Sequence, residues 1–209
     1  MTQGAPTKRP ARPKAQRLST REKILRVAEK LFAREGFDRV TLRQIARAAR
    51  QRNIAAVQYH FGSKEALLRE IIDRHRQEID SRREALLAAL DAPAAKEDLR
   101  SLLRVLVGPL AELLDHPAGR DYLQIQARCL SLDSMRPATR RLVERIARAL
   151  GAHPPKAGRT RLVVLLLFHA LADRAASEVR DPSTSSTREA FVEELIDALG
   201  RLYGPPETS

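Results

Sequence analysis

The side chains best suited to recognising another molecule cluster between Thr41 and Lys64: Thr41, Arg43, Arg52, Asn53, Gln58, Tyr59, His60 and Lys64. Their common chemistry is hydrogen bonding to phosphates and to the edges of bases. The Gln58 carboxamide can pair with adenine through two hydrogen bonds in the major groove, and Asn53 carries the same group. The Tyr59 hydroxyl and the His60 imidazole can donate to phosphate oxygens. Lys64 falls in the first turn of a helix, where a cation opposes the dipole; the placement makes better sense if a phosphate is bound there too. Ala55 and Ala56 are small enough to let the backbone approach base edges. Tyr59, Phe61 and Phe37 could equally be core aromatics, the more natural reading for the two phenylalanines.

The charge distribution points the same way. The net charge is +12, yet residues 1–62 hold 15 Lys/Arg against 4 Asp/Glu, and residues 63–209 hold 23 against 22. A polyanion is the expected partner of the first third, and the remainder reads as a balanced domain. A rival is non-specific attraction to nucleic acid or an anionic membrane. No apolar run approaches the roughly 18 residues of a membrane span, and the basic N-terminus has no apolar segment behind it. The one cysteine, Cys129, has no internal partner, so a reducing cytoplasm is the expected setting. There is no zinc-type His-Glu-x-x-His, no P-loop, no Gly-rich dinucleotide turn and no triad around Cys129. His169 and Asp173 form a short His-x-x-x-Asp match known from some acyltransferases of a different fold. The expectation is therefore no enzyme, no cofactor and no metal.

Apolar periodicity predicts only helices, about nine of them. Residues 1–18 read as a disordered basic arm. A first helix over about Thr20–Glu35 buries Ile24, Leu25, Ala28, Leu31 and Phe32, and Gly36 stops it. Thr41 with Gln44 makes a capping box for a second, with Leu42, Ile45, Ala46 and Ala49 inward. Asn53 caps a short third with Ile54, Val57 and Phe61 inward, Gly62 ends it, and Ser63 caps a fourth of roughly 27 residues, about 40 Å long. Helices follow over about Ala95–Asp115 with a kink at Gly108-Pro109, Ala118–Leu132, Pro137–Leu150, Arg159–Val179 and Arg188–Tyr203. A Ser/Thr-rich linker over 181–187 and a Pro-rich tail complete the chain.

Residues 21–72 resemble the N-terminal domain of the TetR family of transcriptional regulators. The blocks that carry the likeness are Arg21-Glu22-Lys23-Ile24-Leu25, Ala28-Glu29-Lys30-Leu31-Phe32, Glu35-Gly36-Phe37, Val40-Thr41-Leu42-Arg43-Gln44-Ile45-Ala46 and Tyr59-His60-Phe61-Gly62-Ser63-Lys64-Glu65-Ala66-Leu67-Leu68. The resemblance implies an all-α homodimer: a three-helix helix-turn-helix DNA-binding domain (19–62), joined by a long helix to a helical ligand-binding and dimerisation domain (63–203). It implies a palindromic double-stranded DNA operator, repression relieved by a small-molecule effector, phosphate contacts from Thr41, Arg43, Tyr59, His60 and Lys64, and Arg43 within range of a base. One departure stands out. Relatives carry Gly after the Ala-Ala pair and a turn one residue shorter; here Arg50 replaces the Gly and Gln51-Arg52 lengthens the turn. The longer turn is expected to remove the need for a positive φ.

In the second domain the run Leu162–Phe168 is apolar on all sides, which without a membrane implies burial against both its own domain and a partner chain. Together with Phe191, Leu195, Ile196 and Leu199 of the last helix, Leu166 is expected to build a two-fold four-helix interface. The resemblance places an effector pocket between the fourth and eighth helices. Tyr122, Gln126, Arg128, Cys129, His169 and Asp173 are its candidate polar lining, and an apolar or aromatic effector suits the composition.

Overall fold

The computed structural model describes residues 18–51, 53–93, 97–129, 135–151 and 157–203. The expected basic arm up to residue 17, Arg52 and the tail after residue 203 lie outside the described residues. The elements are α1 (Thr20–Glu35), α2 (Leu42–Ala48), α3 (Ala55–Phe61), α4 (Lys64–Leu90), α5 (Leu99–Ala111), α6 (Pro117–Arg128), α7 (Pro137–Ala149), α8 (Ala157–Arg180) and α9 (Arg188–Tyr203). Two 3-10 turns, Glu112–Asp115 and Pro182–Thr187, join α5 to α6 and α8 to α9. The described residues contain no strand.

Local chemistry sets the first four helices. Ser19 Oγ accepts the Glu22 N–H, and Ser63 Oγ accepts the Ala66 N–H at 3.1 Å. Thr41 and Gln44 close a reciprocal capping box. Gly62, at φ 74°, turns the chain between α3 and α4, a conformation that a side chain resists. Ile54, expected inward, is instead 36% exposed, because α3 begins one residue after it. Asn53 still serves the helix start, its Oδ1 accepting the Ala55 N–H at 3.0 Å.

The first three helices enclose an apolar core of Ile24, Leu25, Ala28, Phe32, Val40, Ile45, Val57 and Phe61. This head is completed from below by Leu67 and Ile71 of α4 and by Ile125 of α6. Helix α6 presses on α1 on one side and on α8 on the other. Its approach to the preceding turn is close: a Cβ on Gly119 would sit 2.3 Å from the Leu113 carbonyl oxygen. The body core gathers residues from α4 to α9, among them Ile79, Leu102, Leu123, Leu142, Val163 and Leu199.

Three expectations about the body change. Helix α5 starts at the Asp98 cap rather than near Ala95, and after Pro109 the helix tightens into the 3-10 turn. The Ser/Thr-rich linker is itself helical, pinned by Asp181, whose carboxylate accepts from the Ser183 N–H and hydroxyl. Most consequentially, the apolar stripe of α9 faces its own chain: Leu195, Ile196 and Leu199 are at most 5% exposed, covered chiefly by α5. They are not available to a partner. Phe191 is partly buried, with the Arg174 guanidinium 5.1 Å from its ring centre. Of the expected interface residues only Leu166 is open, at 36%, beside Leu162 at 58%.

Candidate nucleic-acid interface and ligand cavity

Helix α3 presents its polar side to solvent. Gln58 is exposed and Tyr59 is 86% exposed, an unusual state for an aromatic ring, while Val57 and Phe61 on the opposite side enter the core. The half-buried His60 ring meets Tyr59 edge-on, with centroids 5.3 Å apart. On α2, Arg43 and Arg47 are exposed, as is Arg50 in the following turn. The guanidinium groups of these three form no hydrogen bond or ion pair among the described residues. Several arginines elsewhere are neutralised: Arg21 by Glu70, Arg74 by Glu22, Arg145 by Asp91 and Glu97, and Arg188 by Glu178 and Asp115. Arg43, Arg47 and Arg50 are among the cations left without a counter-charge, and they sit on α2 and the turn that leads towards α3. Thr41 is exposed, but its hydroxyl is engaged by Gln44.

Lys64 is used differently from expectation. Its Nζ donates to the carbonyls of Phe37 at 2.9 Å and Val40 at 3.1 Å, and it lies 4.2 Å from the centre of the Phe37 ring. The ammonium therefore ties the start of α4 to the loop between α1 and α2, with one N–H left over for a phosphate. Arg50 overturns the expectation about the turn. Helix α2 ends with Gln51 N–H donating to the Ala46 carbonyl at 2.9 Å and Arg50 N–H to the Arg47 carbonyl at 3.1 Å. This paired pattern is a Schellman motif, and Arg50 occupies its left-handed position at φ 56°. The longer turn does not avoid the positive φ; Arg50 bears it.

Residues 24–71 match the family model of bacterial regulatory proteins, tetR family. These residues form a TetR-family N-terminal domain. Solved structures extend the likeness beyond the head. NalD, the secondary repressor of the MexAB-OprM multidrug efflux pump in Pseudomonas aeruginosa, is 26% identical, aligned over 87% of this chain and 94% of NalD with a TM-score of 0.53. A protein from Shewanella sp. PV-4 described as a tetR family transcription regulator shares the fold at 19% identity, over 87% of this chain and 98% of that one, with a TM-score of 0.50. No curated protein matches the chain in sequence. The chain is a transcriptional regulator whose DNA-binding helix-turn-helix head matches the tetR family.

The body of this regulator holds a cavity of about 150 Å³, walled by α4 to α8 with Tyr203 of α9. Of the candidate lining residues, Tyr122 and Gln126 are brought there, each 1% exposed, with Gln126 Nε2 donating to the Tyr122 hydroxyl at 2.9 Å. Burial raises the Tyr122 phenol above its ordinary pKa, against the hydrogen bond from Gln126. The other four lie elsewhere. His169 and Asp173 share a face of α8, but the outer one, and the His169 ring Nδ1 is 2.9 Å from the Leu165 carbonyl. Arg128 is exposed and donates to the Ala33 carbonyl of the head at 2.7 Å. Cys129 ends α6 near the α1–α2 loop, its thiol pKa raised by burial and by the charge of Asp38.

Arg83 was not foreseen. It is 6% exposed, lines the cavity, and burial lowers its pKa to about 10. His75, equally unforeseen, stacks on Tyr122 with centroids 4.5 Å apart, and its Nε2 lies 2.5 Å from Glu29 Oε1 in α1. Both occupy the inward stripe of α4 between Ile72, Ile79 and Leu87, where a polar residue on an apolar face was the available signal. No helix among the described residues is long and apolar enough to cross a membrane, and none of their His, Cys, Asp and Glu side chains group as a metal site.

Proposed function

We propose that this chain is a homodimeric repressor of the TetR family. Its two heads hold a palindromic double-stranded operator through Gln58 and the surrounding surface of α3, and they release it when a small apolar or aromatic effector fills the body cavity. The observation that carries the reading is the exposed Gln58–Tyr59 face of α3, preceded on α2 and its closing turn by exposed Arg43, Arg47 and Arg50, cations without carboxylate partners among the described residues. Gln58 and Asn53 are the base readers in this arrangement. Arg43, Tyr59, His60 and the last donor of Lys64 hold phosphates, with Thr41 chiefly shaping the start of α2.

Dimerisation is assigned to the outer face of α8. Leu162, Leu166, His169 and Asp173 recur there at helical spacing, and Leu162 and Leu166 leave apolar surface in water. A two-fold contact along this face presents two heads to two half-sites. Support for effector control comes from the joint between cavity and head. Helix α6 supplies Tyr122 and Gln126 to the cavity, Ile125 to the head core and Arg128 to the Ala33 carbonyl. The stack of Tyr122 on His75, and the hydrogen bond from His75 to Glu29, make a second link. A ligand that displaces Tyr122 acts on both. Repression as the sign of control is carried over from NalD, named as a secondary repressor.

The test is to select bound fragments from genomic DNA of the source organism, then compare the recovered palindrome with a scrambled duplex at fixed salt. The palindrome is expected to bind at least ~1,000-fold more tightly. Gln58→Ala should cost about 1–3 kcal/mol and relax preference at one position. Equal affinity for palindromic and scrambled duplexes would reduce the head to a non-specific polyanion binder and end the proposal.

A further inference from the structure

The cavity walls have an asymmetric composition. Most of the lining is aliphatic or aromatic, including Leu110, Val163, Leu167 and Phe168, yet three arginines, Arg76, Arg83 and Arg136, also reach it. No aspartate or glutamate does so among the described residues. Arg83 is the most enclosed of the three, at 6% exposure. Its Nη1 donates to Thr139 Oγ1 at 2.9 Å and its Nη2 to the Leu106 carbonyl at 3.0 Å, both neutral acceptors. Its Nε has no hydrogen-bond partner among the described residues. The Asp80 carboxylate adds a charge attraction, but its oxygens are taken by the Ala138 and Thr139 N–H groups and the Thr139 hydroxyl.

A buried cation with neutral partners is a poor way to hold helices together; an apolar side chain of similar volume generally does better. The unused donor therefore calls for an occupant that brings a negative charge. We infer that the cavity takes a small monocarboxylic acid with a compact apolar body, its carboxylate on Arg83 and its body among Leu110, Val163 and Leu167. A guanidinium offers its Nε edge to a carboxylate in a geometry that neutral ligands do not match. Gln126 supplies a second anchor. Its Oε1 is buried without a partner among the described residues. Turning the amide over lets Oε1 accept from the Tyr122 hydroxyl and sends the two Nε2 donors towards the ligand. Size limits the body: a cavity near 150 Å³ holds about one benzene ring. An inorganic anion would leave that apolar volume unfilled. Desolvation is what lowers the Arg83 pKa to about 10, and the bound carboxylate reverses that pull.

This inference rests on the reading of the cavity as an effector site, and one experiment separates the two. The full-length protein is titrated calorimetrically with benzoate and hexanoate, and with benzyl alcohol and hexanol as their neutral counterparts. Release of a labelled operator duplex is followed in parallel by fluorescence anisotropy. The acids are expected to bind at least tenfold more tightly than the alcohols. Arg83→Met should abolish that preference and Arg83→Lys should keep part of it. Alcohols that match the acids overturn the inference, as does a preference that survives in Arg83→Met, or no acid binding up to about 10 mM. The comparison of acids with alcohols on the unaltered protein stands even if an Arg83 variant fails to fold. Acids that bind without freeing DNA would leave the inference intact and refute effector release. Alcohols that both bind better and free DNA would do the reverse.

Discussion

Arg50 carries two effects of opposite sign, and a single substitution separates them. At φ 56° it holds the left-handed position of the Schellman motif closing α2. For an L-residue with a Cβ this costs roughly 1–2 kcal/mol, and glycine is free of that cost but forfeits about 0.5–1 kcal/mol to its larger unfolded-state freedom. Arg50→Gly is therefore expected to raise stability by about 0.5–1 kcal/mol, or roughly 1–4 °C in Tm for a chain of this size. The same change removes a cation beside the proposed DNA surface. The slope of log affinity against log salt should fall by about 0.9, the value for one phosphate contact. Arg50→Ala is the control, because it loses the charge and keeps the left-handed backbone; it should match the glycine variant in salt dependence and show none of its stabilisation. Urea unfolding and operator titrations at three salt concentrations measure both quantities. A glycine variant no more stable than the alanine one would show that the turn is unstrained. An unchanged salt slope in both would place Arg50 away from the phosphates.

Other outcomes follow from the same geometry. Lys64→Met should destabilise the head by about 1–3 kcal/mol in urea unfolding, since it leaves the Phe37 and Val40 carbonyls without their charged donor. Replacing Leu162 and Leu166 together by Asp is expected to give monomers in sedimentation with much weakened operator binding; a dimer that persists would move the interface off α8. Glu178, its side chain 5% exposed between Arg188 and Arg174, has its pKa held below the ordinary carboxylate value, first by the hydrogen bond from Arg188. Because the folded pKa is the lower one, the stabilisation is complete above the unfolded value near 4.5 and fades as pH falls through the folded one. Glu178→Gln should flatten the stability–pH curve in that acidic window, and a curve unchanged there would remove Glu178 from acid sensitivity.

What could be read from residue types alone was whatever depends on neighbours in the chain. The Thr41–Gln44 box, the Ser63 cap and the bounds of α1 and α9 are local, and they appear as expected. The polar face of α3 was legible too, since Val57 and Phe61 mark its inner side. Failures came where a distant element decides. The α9 stripe of Leu195, Ile196 and Leu199 looks the same whether α5 of its own chain or a second subunit covers it. His169 and Asp173 share a face, as their spacing demands, but spacing does not say which way the face of α8 turns. Lys64 resembles a phosphate ligand until the loop carrying Phe37 and Val40 is folded over it. Arg83 was overlooked because an arginine within a long charged helix reads as solvated, although its register with Ile72, Ile79 and Leu87 placed it inside.

Ile125 belongs by chain position to the body and by packing to the head. The unit that reads DNA is thus unfinished at the point where its three helices end, and part of its floor arrives some sixty residues later in the chain. A fragment cut after Gly62 would expose the undersides of Ile24, Phe32 and Val57 to water. A chimera grafting this head onto another body would inherit a hole wherever the new sixth helix offers a smaller residue at that place. Head and body in this protein are not separable modules to be exchanged, because one buried isoleucine on a body helix is part of the head's core.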